Sequence, residues 1–284
     1  MRRLIVNADD FGLTSGVNRA IVELHRSGLL TSATLMANAA ATEDAIELAH
    51  ANPALGVGCH IVLVDGEPVL PSARISTLIV KGSNRFQPSL GSFARRLVVG
   101  RMRSGEIEAE AAAQVARLQS RGLRLTHIDT HKHTHMFPAV LRPILRAART
   151  VGIRAVRDPF EPEWSVGATT NAPLVRRAQV GLLRVFEPAF RRIVAEEGCI
   201  TTDGAIGVLA TGSLDAATVD GLLRGLPEGN WELVTHPGYN DAGMDQVRTR
   251  LRASREVEID ALRRLEEYAG IERISFADLK ADKP

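Results

Sequence analysis

Short apolar runs alternate with longer amphipathic segments along the whole chain. Amphipathic periodicity predicts helices over 15–29, 42–51, 104–121, 138–151 and 244–269. Apolar runs predict strands over LIVNADD (4–10), TSATLMAN (31–38), LGVGCHIVL (55–63), LRLTHIDTH (123–131), IRAVRD (153–158), AIGVLAT (205–211), WELVTHPG (231–238) and ISFADL (274–279). Alternating strands and helices favour a parallel sheet with helical crossovers. Seven or eight such units predict an α/β fold, a (β/α) barrel that is TIM-like and either distorted or seven-stranded.

The domain organisation follows from the same pattern. The chain contains neither an internal repeat nor a low-complexity linker, so we expect one catalytic barrel domain over residues 1–284. Residues 64–103 form the least regular stretch, rich in proline and glycine. A long irregular insert of this kind is usually a functional loop or a lid.

Composition narrows the function classes. The 35 basic and 33 acidic residues nearly balance at +2, which gives no support for nucleic acid as a partner. No run of about 18 apolar residues predicts a transmembrane segment, and the N-terminal apolar run is too short for a secretion signal. Two isolated cysteines, Cys59 and Cys199, do not form a disulfide framework, so we expect a reduced, cytoplasmic protein.

Polar side chains gather where the predicted strands end. The first strand ends in Asp9 and Asp10, the third contains His60, and the strand that begins at Trp231 leads into His236. In a parallel barrel the carboxyl ends of the strands form one rim, where active sites lie. The sequence therefore predicts that these separated residues meet at one site.

The segment HIDTHKHTH carries five polar side chains at alternate positions. Because a strand has a period of two, these would share one face while the segment stays extended, with Lys132 on the other face; the five are His127, Asp129, His131, His133 and His135. Imidazole and carboxylate together suit a divalent metal, and three protein ligands with an open position are typical of a catalytic site. Such a metal acidifies a bound water; Asp9 is then a candidate base and His236 a candidate acid.

Each of these residues also has a structural interpretation. An Asp-Asp pair after a strand is often a helix cap or a solvated turn, and His60 alone could be a hydrogen-bonded core histidine. A solvated loop could hold the four histidines, although their alternation after an apolar strand favours metal binding. His25 and His50 lie on predicted helices, so we interpret them as ordinary surface or packing residues.

Four motifs together resemble the YdjC-like carbohydrate deacetylase family, which includes chitooligosaccharide deacetylases and deacetylases associated with hopanoid biosynthesis. The motifs are NADDFG (7–12), GVGCHIVL (56–63), HIDTHKHTHMFP (127–138) and THPG (235–238). The resemblance implies a barrel of the glycoside hydrolase and deacetylase type. It also implies a hydrolase that removes the acetyl group from an N-acetylated amino sugar.

The resemblance further implies roles for individual residues. Asp10, His60 and His131 would hold one divalent metal ion, magnesium or zinc, with Asp9 as the general base and His236 as the general acid or an oxyanion-side donor. His127 and Asp129 would orient the ligands from behind. His133 and His135 would contact substrate or serve packing. Independently of the resemblance, Arg157 leaves the strand RAVRD near the same rim, where it would contact substrate or pair with Asp158 or a helix end.

Some details of the motifs look like one branch, whereas Asp129, Met136 and Phe137 look more like the general family. This chain has HKH where many relatives have HHH, and VLVDGEPVLP follows His60; both features look like the hopanoid-associated branch. That branch implies N-acetylglucosamine linked to a lipid rather than a free oligosaccharide. The arginine-rich apolar segment 174–193 fits a lipid-linked substrate if it is a peripheral membrane contact. A homodimer contact and a plain barrel helix are the alternative interpretations of this segment.

Two other functions stay open at this point. One is a different metal-dependent hydrolase on the same barrel, a phosphoesterase or a cyclic-amide hydrolase. The other is a non-enzymatic metal-binding protein, which the neighbouring acid and base candidates disfavour.

Overall fold

The computed structural model describes residues 1–169 and 171–280; the remaining positions of the predicted domain, 170 and 281–284, lie outside the described residues. All the strand pairs are parallel. The strands are β1 (Arg2–Phe11), β2 (Ser32–Leu35), β3 (Gly56–Ile61), β4 (His127–Thr130), β5 (Ala155–Val156), β6 (Gly204–Ile206), β7 (Gly229–Thr235) and β8 (Glu272–Ile274).

Helices connect the strands in the alternating order that the sequence predicts. Helix α2 occupies the predicted 42–51, and α4 and α5 begin at the predicted residues. The helices are α1 (Ser15–Arg26), α2 (Thr42–Ala51), α3 (Leu90–Val98), α4 (Ser104–Ser120), α5 (Pro138–Arg149), α6 (Glu163–Ala168), α7 (Leu174–Leu183), α8 (Glu187–Glu196), α9 (Ala216–Gly225) and α10 (Arg252–Leu262).

The sheet curls into a distorted barrel, which confirms the predicted fold class. Its strand order is β5-β4-β3-β2-β1-β7-β6, and β8 adds to β1. The two ends of this order approach each other: Ala155 forms a parallel bridge with Ile200, and the Ala205 N–H donates to the Phe160 carbonyl at 3.3 Å. The curl brings the carboxyl ends of the strands around one opening.

Strand β1 is the centre of the core. It is buried from Leu4 to Phe11, because strands of a parallel sheet are covered on both faces. The following helix α1 begins at the Thr14 cap, whose side chain accepts a hydrogen bond from the Val17 N–H, and buries its apolar face. This short connection fixes the exit of β1, where the aspartates lie.

Two predicted elements near the C-terminus are wrong in part. The helix predicted over 244–269 is a 3₁₀ turn at Ala242–Gln246, an irregular stretch, α10, and a further 3₁₀ turn. The strand predicted over 274–279 ends at Ile274, where Ser275 and Asp278 form a capping box around a 3₁₀ turn. Both side chains satisfy backbone groups that a longer strand would otherwise pair.

The irregular insert at 64–103 is more structured than predicted. It contains α3, and carboxylates of α4 tie down the remainder: Glu110 accepts from the Val69 and Leu70 N–H groups, and Glu106 accepts from that of Thr77. The insert forms one wall of the opening rather than a detached loop.

Candidate active site

A cavity of about 670 Å³ opens at the carboxyl ends of the strands. Its floor contains Asp9, Asp10, His60, His131 and His236, which come from four different strands or strand exits. The insert 64–103, helix α7 and the stretch 246–251 supply its walls. The barrel therefore brings the separated motifs together as the sequence predicts.

The exit of β1 turns two consecutive carboxylates toward the same cavity. Successive side chains of a strand normally point to opposite faces. Here Asp10 adopts a left-handed conformation, with φ of 65°, and the pairing of β1 with β2 shifts register between Ala8 and Phe11. Aspartate tolerates this region better than most residues. The turn therefore lets Asp9 and Asp10 face one site from neighbouring positions.

Three donor atoms form a compact cluster on this floor. His60 Nε2 lies 3.3 Å from His131 Nδ1 and 3.7 Å from Asp10 Oδ1, and His131 Nδ1 lies 3.4 Å from Asp10 Oδ1. Metal bonds of about 2.1 Å in tetrahedral directions place neighbouring donors about 3.4 Å apart. The spacing and the mixed imidazole and carboxylate donors fit one divalent metal ion.

His60 is oriented by hydrogen bonds to its other ring nitrogen. Its Nδ1 donates to Asp129 Oδ1 at 2.8 Å and lies 3.2 Å from the Thr34 hydroxyl, which leaves Nε2 facing the cavity. Burial disfavours the charged ring, but the neighbouring carboxylates, Asp129 above all, outweigh it and raise the pKa of His60 to about 9. Asp129 therefore lies behind a metal-ligand candidate, where the sequence predicts it.

Arg255 of α10 contacts the opposite side of the cluster. Its Nη2 donates to Asp10 Oδ2 at 2.5 Å, and its Nη1 donates to the His236 carbonyl at 3.3 Å. Burial raises the pKa of Asp10, but the charge of Arg255 leads the opposing effects that hold this pKa well below its usual range. With Oδ2 occupied, Asp10 presents Oδ1 to the other two donors.

A second acidic cluster lies directly behind the first, and a guanidinium fills it. Arg157 donates to both oxygens of Asp9, at 2.6 and 2.8 Å, to Glu232 and to Asp129. The side chain of Arg157 is fully buried, so the predicted contact with substrate is wrong. The alternative pairing with Asp158 is also wrong, because Asp158 pairs with Arg191 at 2.8 Å.

Asp9 and His236 face each other across the floor. Asp9 Oδ2 lies 3.7 Å from His236 Nε2. Burial raises the pKa of Asp9, but Arg157 and the nearby histidines outweigh it, so this pKa lies well below its usual range. Burial lowers the pKa of His236 to about 4 against the pull of the aspartates. At neutral pH the pair is therefore an ionised carboxylate beside a neutral imidazole.

The histidine motif does not stay extended, which corrects the prediction of one shared face. Strand β4 ends at Thr130, and residues 131–136 turn through a 3₁₀ segment in which Lys132 and His133 have φ of 58° and 53°. Lys132 therefore also reaches the cavity, where it pairs with Asp65. The alternation holds only for His127, Asp129 and His131.

The turn separates the two remaining histidines of the motif. His135 is buried, with its ring nitrogens hydrogen-bonded to the Thr130 hydroxyl at 2.7 Å and the Arg157 carbonyl at 3.2 Å, so it serves packing. Burial lowers its pKa to about 3. His133 lines the cavity, and its buried Nδ1 has no partner among the described residues.

His127 belongs to the barrel interior rather than to the metal-ligand candidates. Its ring stacks on Phe276 at 3.7 Å between centroids, and its Nδ1 contacts the Thr126 hydroxyl at 2.8 Å. The ring also lies over Gly58, where any larger side chain would clash with it. The predicted role of orienting a ligand is wrong for His127, because none of these contacts reaches one.

Sequence reasoning missed four polar residues of this region. Glu232 was detectable, since an acid inside the apolar run WELVT is unusual in a buried strand. Thr34, Arg255 and Glu258 gave no such signal. Glu258 accepts a hydrogen bond from the His236 N–H at 2.6 Å, and burial raises its pKa to about 8.

Comparisons with known proteins agree with the four motifs. The sequence profile of the YdjC-like protein family matches residues 3–269. A protein of Brevibacillus brevis named carbohydrate deacetylase is 46% identical over 165 residues, 58% of this chain and 61% of that protein. A human protein of the same name is 31% identical over 246 residues, 84% of this chain and 75% of that protein.

The alignments with the first relatives are partial. They span about 60% of the length of the Brevibacillus and Geobacillus stearothermophilus proteins. A solved structure from Enterococcus faecalis V583, named for cellobiose-phosphate cleavage, superposes with a TM-score of 0.79 at 22% identity, covering 99% of both chains, which confirms the fold. On the profile match, the chain belongs to the YdjC-like protein family.

Proposed function

We propose that this protein is a metal-dependent deacetylase that removes the acetyl group from an N-acetylated amino sugar. One observation carries the proposal: the compact Asp10, His60 and His131 cluster lies beside an ionised Asp9 that faces His236 at 3.7 Å. This combination would supply a metal site, a base and a proton donor around one cavity. The relatives named carbohydrate deacetylase support the substrate class.

Asp10 Oδ1, His60 Nε2 and His131 Nδ1 would hold one divalent ion, magnesium or zinc. When bound, the ion supplies Lewis-acid polarisation of the amide carbonyl and a more acidic water. Asp129 keeps the His60 ring turned toward the ion, and Arg255 keeps one oxygen of Asp10 free for it. Histidine and carboxylate donors suit zinc better than magnesium, which prefers oxygen ligands.

Asp9 and His236 would move the proton of the reaction. Asp9 accepts a proton from the attacking water, and Arg157 fixes the carboxylate from behind through two hydrogen bonds. His236 is neutral at pH 7, and its Nε2 lies 3.7 Å from Asp9, so it takes that proton from Asp9 and passes it to the amide nitrogen. Water adds to the carbonyl, the C–N bond breaks, and acetate and a free amine are released.

The second acidic cluster disfavours the phosphoesterase alternative with two metals. Asp9, His60 and Asp129 offer three donor atoms close together, but Arg157 donates to both of these aspartates. A guanidinium at this position excludes a second cation by charge and by volume. The cyclic-amide alternative keeps one metal, and a substrate screen separates it from the acetamide.

We propose further that the sugar is N-acetylglucosamine, as an oligomer or linked to a lipid, and that the protein works in the cytoplasm. The HKH spelling and the insert sequence after His60 support the lipid-linked form through their resemblance to the hopanoid-associated branch. Cys59 and Cys199 are unpaired and buried, as is usual in a reducing compartment. Among the described residues, no helix is both long and apolar enough to cross a membrane.

The test is acetate release from N-acetylglucosamine oligomers by metal-free protein reloaded with magnesium, zinc or manganese. We expect turnover that depends on added metal in the wild type and in His50→Ala, a matched substitution on the exposed face of α2. His131→Ala should bind no metal and release no acetate. Turnover by metal-free protein, or by His131→Ala, would contradict the proposal. Faster hydrolysis of a phosphodiester or a lactam would support the alternatives instead.

A further inference from the structure

Helix α7 presents an apolar face to solvent. Leu174, Val175 and Leu182 are 82%, 70% and 74% exposed, and Val185, in the 3₁₀ turn that follows the helix, is 69% exposed. Residues 174, 178 and 182 repeat at the spacing of one helix face, so Ala178 lies between the two leucines. A contiguous exposed apolar surface of this kind marks an interaction site more often than an isolated exposed leucine does.

The other face of α7 is part of the candidate active site. Arg176, Val180 and Leu183 line the cavity, so the exposed stripe lies on the outer side of the cavity wall. Whatever covers the outer face therefore sits beside the cavity mouth.

The surroundings of this stripe are basic. Between Glu163 and Glu187 the chain carries three arginines and no acidic residue, and one of them, Arg184, pairs with both of these glutamates. Across the mouth, Arg248 and Arg250 are exposed, and they form no ion pair with any residue that the structure describes. Arg176 on α7 lines the same cavity as Arg248 and Arg250, so guanidinium groups come from both sides of the mouth.

We propose that the outer face of α7, together with Arg248 and Arg250, docks on the surface of an anionic lipid bilayer. Apolar side chains flanked by arginines are typical of helices that lie in a membrane interface. A second copy of the chain fits this face less well, because a twofold contact would bring the unpaired arginines of both copies together. Docking would hold the cavity mouth at the membrane.

This placement has a consequence for the substrate. An acetylated amino sugar on a lipid anchor would enter the cavity from the bilayer, with its lipid left in the membrane. That consequence rests on the proposed deacetylase function, whereas the docking itself does not.

The experiment is co-sedimentation of the full chain with phosphatidylcholine vesicles, with and without phosphatidylglycerol. We expect binding only to the anionic vesicles, weakened by salt. Leu174→Ser combined with Leu182→Ser should lower the partition coefficient by about tenfold or more, since two exposed leucines would leave the bilayer. The control is Val98→Ser combined with Val99→Ser, which removes two exposed valines at the end of α3 and should bind as the wild type does.

Several results would overturn the proposal. They are no wild-type binding to the anionic vesicles, binding that the leucine pair does not change, or a dimer in solution that the leucine pair dissociates. Acetate release from a soluble N-acetylglucosamine oligomer is measured in parallel and should not change in the leucine variant. If the wild type releases no acetate, the deacetylase function is refuted, and the vesicle result still decides the docking.

Discussion

Two clusters of carboxylates and histidines, an outer cluster and an interior cluster, meet at the floor of the barrel. Each offers three possible metal donors. In one, Asp10, His60 and His131 face the open cavity with donor atoms 3.3 to 3.7 Å apart. In the other, Asp9 and Asp129 close around the buried guanidinium of Arg157. The two clusters share His60, whose Nε2 faces the first and whose Nδ1 faces the second.

The two clusters have similar donor residues but different neighbours, so donor residues alone do not define a metal site. The interior cluster already holds a permanent cation, so its carboxylates are ionised, oriented and unavailable as metal ligands. In the outer cluster Arg255 occupies only one oxygen of Asp10, and the other oxygen faces the nitrogens of His60 and His131. The same arrangement would make Asp9 a fixed neighbour of the proposed metal site and not one of its ligands.

Removing the Arg157 guanidinium should have the largest effect, and it acts on the interior cluster. In Arg157→Met three buried carboxylates lose their partner, and we expect a loss of about 3–5 kcal/mol in the free energy of unfolding. Urea denaturation measures this loss, and it should shrink as the pH falls, because protonation neutralises the carboxylates. Arg85→Met, in an exposed pair with Glu67, is the control and should change stability little. An Arg157→Met variant as stable as the wild type would refute the structural role.

Asp9→Asn separates the two clusters by function. It keeps the shape of the side chain but removes the base, so kcat should fall on the order of 10²–10⁴-fold while one metal ion still binds. Steady-state acetate release together with a metal titration measures both quantities. Retained turnover would refute the base assignment, and loss of the metal would place Asp9 among the ligands.

Arg255→Gln tests whether Arg255 positions Asp10 of the outer cluster for a metal ion. Without the guanidinium, Asp10 is no longer held with one oxygen free, and we expect metal affinity to fall on the order of 10–100-fold. Isothermal titration of the metal-free protein gives this value, and Arg255→Lys should recover part of it. Unchanged affinity in Arg255→Gln would show that Asp10 is positioned by the β1 turn alone.

The smallest effect concerns His135, which lies beneath the sites and packs there. Burial lowers its pKa to about 3, whereas the unfolded chain takes up a proton near pH 6.5. The unfolded state therefore binds more protons below pH 6.5, and stability falls as the pH falls toward 3, by at most about 1.4 kcal/mol per pH unit. His135→Gln should make this slope shallower, and His50→Gln should not. Equal slopes in all three proteins would contradict the assignment.

The sequence predicted the barrel and the residues that meet in it because strand exits and motif order are local signals. It placed Asp9, Asp10, His60, His131 and His236 at one rim, where the structure has them. The sequence did not predict partners from distant elements. Arg157 contacts residues up to 148 positions away, and Arg255 contacts Asp10, 245 positions away. Such contacts depend on how the sheet curls.

The sequence predicted one local feature wrongly and left another open, for different reasons. The histidine motif alternates as a strand would, but Thr130 accepts a hydrogen bond from the His135 N–H and the chain turns back in left-handed conformations. Helix α7 has the periodicity of a core helix, yet its inner face borders a cavity and its apolar stripe points outward. The periodicity of a helix predicts which residues share a face, but it does not predict what packs against that face.

The most direct test of the account is an anomalous difference map from a crystal soaked in zinc and recorded at the zinc edge. We expect one peak, bonded to Asp10 Oδ1, His60 Nε2 and His131 Nδ1, with Arg157 still between Asp9 and Asp129. A peak within the Arg157 cluster, or zinc bound elsewhere with this triad empty, would contradict the assignment of the metal site to Asp10, His60 and His131.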